Sequence, residues 1–325
     1  MKLPYPKQPF LTAYQNKAFP MGVLQANCRG DLVLWAAMKA ANCVYDAQSP
    51  NVRFNVVMSD LWGVRDGLTV QEDMNPDKAD FADNRQAILD ILRERLCAGF
   101  YVKGAYNERY IHVKEAFGGQ DYDHDFLLFG FDAHGFFSAG YVRGGHFQHF
   151  FIPFEEFLQA LFRTQRPQIP LHCFRVVQSR TMPYHFDRFA SGLNAYVRAA
   201  SVEAGRVEGL AALKRLKQDT VAEVAAGRIT MDRRYSKMLE EQKMLLAHAF
   251  GALSRLDDAF QPYAERSDTV LQYARLIHAL GLKMTLAQNA SLMDSIGTLF
   301  DAIINEESAY LPDACVLLAD RLPRL

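Results

Sequence analysis

The chain has 325 residues, more than one average domain holds, so two domains are expected. Half of its residues are hydrophobic and its formal net charge is −1 at pH 7, a balance that favours a globular protein and argues against broad electrostatic binding to nucleic acid or to an anionic membrane surface. Its five cysteines are an odd number, are widely spaced and include no CxxC pair, which excludes a disulfide framework or a zinc ribbon and predicts a reducing compartment, the cytoplasm.

The first ten residues, MKLPYPKQPF, contain three prolines and no apolar core of the length found in a secretion signal. No apolar run approaches the roughly 20 residues that a membrane-spanning helix needs. We therefore expect a protein that is neither exported nor inserted into a membrane.

Two helices are expected early in the chain. Residues 31–41 (DLVLWAAMKAA) are rich in apolar helix-forming residues, which predicts a buried helix with Cys28 in the turn that enters it. Residues 84–96 carry apolar side chains on one face and predict an amphipathic helix. Residues 54–62 are compatible with either a strand or a short helix.

A meander of strands follows these helices. Aromatic-rich segments alternate with turn residues, and residues 132–135 (DAHG) predict the turn of a hairpin. A proline at position 153 suits the first turn of a helix over residues 153–162. This order indicates the α+β class and not a doubly wound parallel sheet. The expected strands are 100–105, 126–131, 136–142 and 147–152.

The pattern of apolar residues changes near residue 190. Short apolar runs give way there to long amphipathic segments. Apolar periodicity predicts four or five helices in this half. We expect an α+β domain over residues 1–183 and an all-helical domain over residues 184–325, packed against it. The expected helices lie near 186–204, 206–226, 231–260, 267–288 and 289–307.

Cys28 and His124 are the candidate catalytic residues. A helix N-terminus favours thiolate over thiol, because its unpaired N–H groups and the positive end of its dipole stabilise the charge. A histidine that opens a buried strand can be held beside such a thiolate, with His124 as base and later as acid. The alternative is that Cys28 is a small core residue and His124 a strand-start histidine near solvent.

The order and context of these residues resemble a known family, that of butirosin biosynthesis protein H. Its N-terminal domain is related to the papain-like peptidases that process bacteriocins, and its members carry a cysteine entering a helix, a later histidine-aspartate strand and a helical C-terminal region. The resemblance covers roughly residues 20–165. The segments that carry it are 25–28 (QANC), 101–110 (YVKGAYNERY), 124–132 (HDFLLFGFD) and 137–142 (FSAGYV).

The resemblance implies a papain-like thiol domain with an antiparallel sheet, acting as an acyltransferase in the biosynthesis of secondary metabolites. Such an enzyme binds no cofactor and moves an acyl group from a phosphopantetheine thioester on an acyl or peptidyl carrier protein to a small-molecule amine. Carried over, Cys28 would form the acyl intermediate and His124 would be the base. Two alternatives stay open: a cysteine peptidase or amidase of the same fold, and a non-catalytic protein that binds a carrier protein or a peptide.

The residue that would orient His124 is not evident in the sequence. Papain-like sites use an Asp or Asn on the next strand, but here that strand offers only Ser138 and Tyr141 as polar side chains. A loop residue such as Asp121 or Asn107 could replace it, the pair could act as a dyad, or the site could be inactive.

Gln25 and the pair His146 and His149 are two further polar features of this part of the chain. Gln25, three residues before Cys28, could donate to an oxyanion or could be a solvated loop residue. His146 and His149 resemble a metal-binding pair, but residues three apart on a strand face opposite sides, so no metal site is expected.

Overall fold

The computed structural model describes residues 1–49, 52–178, 180–198, 201–203 and 205–324. These residues form a mixed structure of helices and antiparallel sheets. The helices are α1 (Gln15–Asn27), α2 (Leu32–Ala37), α3 (Gln86–Cys97), α4 (Phe154–Phe162), α5 (Phe186–Arg198), α6 (Gly209–Ala225), α7 (Arg233–Leu256), α8 (Gln261–Ala287) and α9 (Leu292–Arg321). The strands are β1 (Cys43–Asp46), β2 (Phe54–Val56), β3 (Thr69–Met74), β4 (Tyr101–Asn107), β5 (Asp123–Phe131), β6 (Gly135–Tyr141), β7 (Phe147–Pro153), β8 (Leu171–Val176), β9 (Ser201–Glu203) and β10 (Arg206–Glu208).

The chain divides into two compact units. The first unit is formed by Met1–Leu32 and Asp60–Met182, and the second by Val33–Ser59 and Pro183–Leu325. The second unit therefore includes an early segment as well as the helical half. That segment joins it because β1 pairs with β10, more than 150 residues later in the chain, as in the pair Val44 and Glu208.

The first unit is built on a six-stranded antiparallel sheet with the strand order β3-β8-β4-β5-β6-β7. Successive residues of β5 point to opposite faces, so each face has its own apolar cluster. On one face, Phe126 and Leu128 pack with side chains of α3 and α4. On the other face, Leu127 and Phe129 pack with Phe19 of α1. The sheet is thus covered by helices on both sides.

The strands of the meander confirm the sequence-based prediction. β4, β5, β6 and β7 overlap the four expected segments, and α4 begins directly after Pro153. The predicted hairpin turn is present, with the Asp132 carboxylate accepting hydrogen bonds from the N–H groups of His134 (2.7 Å) and Gly135 (3.1 Å). Residues 54–56 are a strand, which decides between the two alternatives for that segment.

Helix α1 was not predicted. Its residues 18–24 are all apolar and buried, so this stretch shows no polar face, and Pro20 lies inside it. A helix that is apolar on every side has no periodic pattern to read, and proline normally argues against a helix interior. The helix predicted over residues 31–41 is present only as the short α2.

The second unit contains α5–α9 and a four-stranded sheet with the order β2-β1-β10-β9. The predicted helices of this half are confirmed with shifted ends. The first of them was expected to continue to residue 204, but Ser201–Glu203 form a strand, and residues 199, 200 and 204 lie outside the described residues. Across the described ranges, no helix is both long enough and apolar enough to cross a membrane.

Candidate functional site

Cys28 lies at the C-terminal end of α1, where its N–H donates to the carbonyl oxygen of Leu24 at 2.8 Å. The helix predicted after Cys28 is present as α2, which begins at Leu32, but Cys28 itself is the C-cap of α1 and not the N-cap of α2. A helix C-terminus presents carbonyl groups and the negative end of the dipole, which disfavour a thiolate. Burial raises the pKa of the Cys28 thiol to about 11, so the thiol is protonated at neutral pH.

His124 lies near the opposite end of α1. Its Nδ1 is 3.1 Å from Nε2 of Gln15, the first residue of that helix. Gln15 and Cys28 are separated by thirteen residues, or about 20 Å of helix at ~1.5 Å per residue. The structure does not bring the Cys28 thiol and the His124 imidazole together.

The partner that orients His124 is Glu108. Glu108 follows β4 directly, and its Oε1 lies 2.8 Å from His124 Nδ1. The cross-strand pair of Tyr106 with His124 explains this proximity, because it sets the end of β4 beside the start of β5. The Glu108 side chain is 8% exposed and that of His124 is 34% exposed, so a buried carboxylate holds a partly accessible imidazole.

Lys114 completes this buried group. Its Nζ lies 3.1 Å from Glu108 Oε1 and donates to the Tyr141 carbonyl oxygen at 2.7 Å, and its side chain is 1% exposed. The ammonium also lies 4.9 Å from the ring centroid of Phe150. A buried charge is tolerated only when it is paired and hydrogen-bonded, and both conditions are met here.

The charges of this group follow from its contacts. Burial alone would raise the pKa of Glu108, but the hydrogen bond from His124 and the charge of Lys114 outweigh it, so the pKa lies below its usual range. Burial lowers the pKa of Lys114, while its contact with Glu108 works in the opposite direction. Glu108 is thus an ionised carboxylate at neutral pH.

The proton of the neutral imidazole is assigned to Nδ1. Both Glu108 and Gln15 approach this nitrogen, and only the carboxylate is an acceptor. The Gln15 amide is held by other bonds, since Nε2 donates to the Asp125 carbonyl oxygen (3.1 Å) and Oε1 accepts from the N–H of Tyr141 (2.8 Å). His124 Nε2 has no hydrogen-bond partner within the described residues, which leaves it available to take a proton from a substrate.

The other residues considered from the sequence lie elsewhere. Gln25 is exposed in the last turns of α1, where its side chain accepts from the N–H of Phe10 at 3.3 Å, so it is at the far end of that helix from His124. Asn107 is buried and donates to Asp121 at 2.8 Å, whereas the side chains hydrogen-bonded to His124 are those of Gln15 and Glu108. His149 contacts the Pro6 carbonyl oxygen at 2.8 Å. In the part of the chain that is described, no three His, Cys, Asp or Glu side chains are grouped as metal ligands.

Sequence reasoning missed Gln15, Glu108 and Lys114. Glu108 could have been predicted from the pairing of the strands. If the predicted strands 100–105 and 126–131 are antiparallel neighbours, the residues just after the first strand lie beside those just before the second. Gln15 and Lys114 had no such signal. Their contacts with β5 and β6 depend on how α1 and the loop after β4 pack on the sheet.

Comparisons with known proteins do not assign the chain to a family. No protein-family model matches the chain, and no curated protein matches its sequence.

A pH-dependent contribution to stability is expected from Glu108. Its folded-state pKa is below the ordinary value of 4.5, so its contribution is fully present above that value and is lost as the pH falls through the folded-state pKa. Glu108→Gln should lower the free energy of unfolding by about 2–3 kcal/mol near neutral pH, because it removes a charged partner from Lys114 and His124.

The measurement is denaturant unfolding of the two proteins, followed by circular dichroism at several pH values. The difference between wild type and Glu108→Gln should shrink below about pH 4. A difference that is constant from neutral to acidic pH would contradict an ionised Glu108 in the folded state.

Proposed function

We propose that the protein is an acyltransferase in which His124, oriented by Glu108, acts as the general base for an amine acceptor. The observation that carries the proposal is the 2.8 Å contact between His124 Nδ1 and a buried carboxylate, with Nε2 left available. A carboxylate in this position holds the tautomer of the histidine and stabilises the imidazolium that forms. The acyl chemistry rests on the resemblance of residues 101–110 and 124–132 to the butirosin biosynthesis protein H family.

The proposed step needs no covalent enzyme intermediate. The amine attacks the carbonyl carbon of a carrier-protein thioester, and His124 Nε2 takes the proton that the nitrogen loses. The carbon–nitrogen bond forms, the carbon–sulfur bond breaks, and the departing thiolate of the phosphopantetheine arm takes the proton back from His124. The products are an amide and the free thiol of the carrier.

Direct transfer is supported over an acyl-Cys28 intermediate by the placement of the thiol. Cys28 is about 20 Å of helix away from the residue that contacts His124, and its raised pKa leaves almost no thiolate at neutral pH. A thiol that is neither ionised nor beside a base is a weak nucleophile.

A second candidate, the non-catalytic binding protein, is favoured by Gln15. In a papain-like site the thiol would stand at the start of the buried helix beside the histidine, whereas the residue of α1 beside His124 is a glutamine whose amide bridges β5 and β6. An amide is not a nucleophile. In this second candidate function, the protein would bind a carrier protein or a peptide without catalysing a reaction. Gln15 would then only hold α1 against β5 and β6.

The test is a single-turnover reaction with acetyl-pantetheine as donor and glycinamide as acceptor, with the products and the protein both analysed by mass spectrometry. We expect acetylated glycinamide, no acetyl group on the protein, and an unchanged rate in Cys28→Ser as in the control Cys97→Ser, whose thiol is exposed. An acetyl adduct on Cys28 would overturn direct transfer. Acetate in place of the amide would favour the peptidase or amidase alternative, and no turnover would favour the binding protein.

A further inference from the structure

A cavity of about 580 Å³ lies in the first unit, at the end of the sheet where β4 begins and β8 ends. Its volume falls in the range of about 300–1,000 Å³ that is typical of small-molecule sites. The cavity is remote from His124: Asn27, which lines it, follows Gln15 by twelve residues, or about 18 Å along α1. It is therefore a candidate binding site distinct from the proposed catalytic one.

The floor of the cavity is formed by apolar side chains. Leu3 and Val176 belong to the apolar cluster on the α1 face of the sheet, whereas Val70 points to the other face, as Arg175 does, and is exposed at the edge of the cavity. Tyr101 also lines it, but its hydroxyl donates to the Pro4 carbonyl oxygen and accepts from Asn27 Nδ2 (2.9 Å). Because these polar atoms are already paired, an aliphatic group can cover them without leaving a buried donor unsatisfied.

The rim of the cavity carries a cation, Arg175. This exposed residue lies directly opposite Val70 in the pairing of β8 with β3, and its guanidinium is 5.0 Å from the ring centroid of Phe100. Arg95 of the same unit is paired with Glu72 at 2.5 Å, whereas Arg175 has no carboxylate partner in the described parts of the chain. A guanidinium held against a ring beside an apolar floor is suited to an anion with a hydrocarbon body.

We propose that this cavity binds a small aliphatic carboxylate, with its chain against Leu3 and Val176 and its carboxylate on Arg175. The planar guanidinium matches the two carboxylate oxygens, and the chain gains the free energy of leaving water. The site does not depend on the proposed acyl transfer.

Isothermal titration calorimetry of the full chain tests this, with octanoate, 1-octanol and octylamine as probes of the same chain length and different charge. Octanoate should bind, 1-octanol should bind about tenfold or more weakly because a hydroxyl makes no charge-assisted hydrogen bond with the guanidinium, and octylamine should be weaker still because its charge is repelled by Arg175. Equal affinity for octanoate and 1-octanol, or no binding of octanoate, would overturn the proposal.

Two pairs of variants locate the site. Arg175→Gln should weaken octanoate binding about tenfold or more, whereas Arg85→Gln should not, although Arg85 is also exposed and also stacks on a ring, 4.9 Å from the centroid of Phe162. Val70→Phe should obstruct the cavity beside Arg175 and abolish binding, and Val64→Phe, at a position of similar exposure (37% against 41%), should leave it unchanged. Normal octanoate binding by Val70→Phe or by Arg175→Gln would place the ligand elsewhere and overturn the assignment.

Discussion

Replacing His124 with glutamine should lower the rate of amide formation from acetyl-pantetheine and glycinamide by about 10²–10⁴-fold, the usual contribution of a positioned general base. Glutamine keeps much of the size and polarity of the imidazole but cannot take up a proton. The loss should appear in kcat, with little change in KM for the donor, because the ring contributes little binding area. Glu108→Gln should lower kcat by a smaller factor, since Glu108 acts through His124 as a positioning residue.

His112 offers a matched control for this measurement. Its Nδ1 also lies 2.8 Å from a carboxylate, that of Glu156, and its side chain is 46% exposed. His112→Gln should leave the rate of amide formation unchanged. An equal loss in both histidine variants would mean that the effect is structural, and full activity of His124→Gln would remove the general base and with it the proposed mechanism.

Breaking the buried ion pair of Lys243 and Glu307 should lower the free energy of unfolding of the second unit by about 3–5 kcal/mol. Both side chains are fully buried, with Lys243 Nζ 2.8 Å from Glu307 Oε1. The Tyr196 hydroxyl donates to Glu307 Oε2 at 2.5 Å and accepts from Lys243 at 2.8 Å, so the group joins α5, α7 and α9. Glu307→Gln would leave the fully buried Lys243 ammonium without a carboxylate partner.

The double variant Lys243→Met/Glu307→Gln should recover most of this loss, because it removes the unpaired charge and keeps an acceptor for Tyr196. Lys217→Met serves as the control for an exposed pair: Lys217 Nζ lies 2.7 Å from Asp301, the two side chains are 26% and 56% exposed, and the cost should stay below about 1 kcal/mol.

Tryptophan fluorescence can be used to measure the unfolding of the second unit alone in these variants. The chain has two tryptophans, Trp35 in the second unit and Trp62 in the first. Trp62 stacks on Phe174 with ring centroids 3.7 Å apart, so Trp62→Phe keeps an aromatic contact and leaves Trp35 as the reporter. A Glu307→Gln protein as stable as the Lys217→Met control would contradict the expected role of the buried pair.

The sequence predicted those parts of the fold that depend on short-range pattern. The amphipathic helices α5–α9 and the strands β4–β7 were predictable because their apolar residues recur with the helix or strand period. His124 was a candidate because it opens a buried, aromatic-rich strand and because the order of Cys28 and His124 in the chain resembles that of papain-like domains. No local pattern exists for α1, in which Pro20 lies within a fully buried stretch.

Local pattern by itself therefore determined the α+β class and the helical half, whereas the choice of His124 also used a resemblance in the order of residues along the chain. The tertiary structure decided which residues meet His124 and which do not. Gln15 and Glu108 reach it through the packing of α1 and the register of Tyr106 with His124, while Cys28 is carried to the far end of the same helix. Such contacts join residues up to about a hundred positions apart, and they are set by the burial of whole helices on a sheet, a free energy that no single segment of the chain carries.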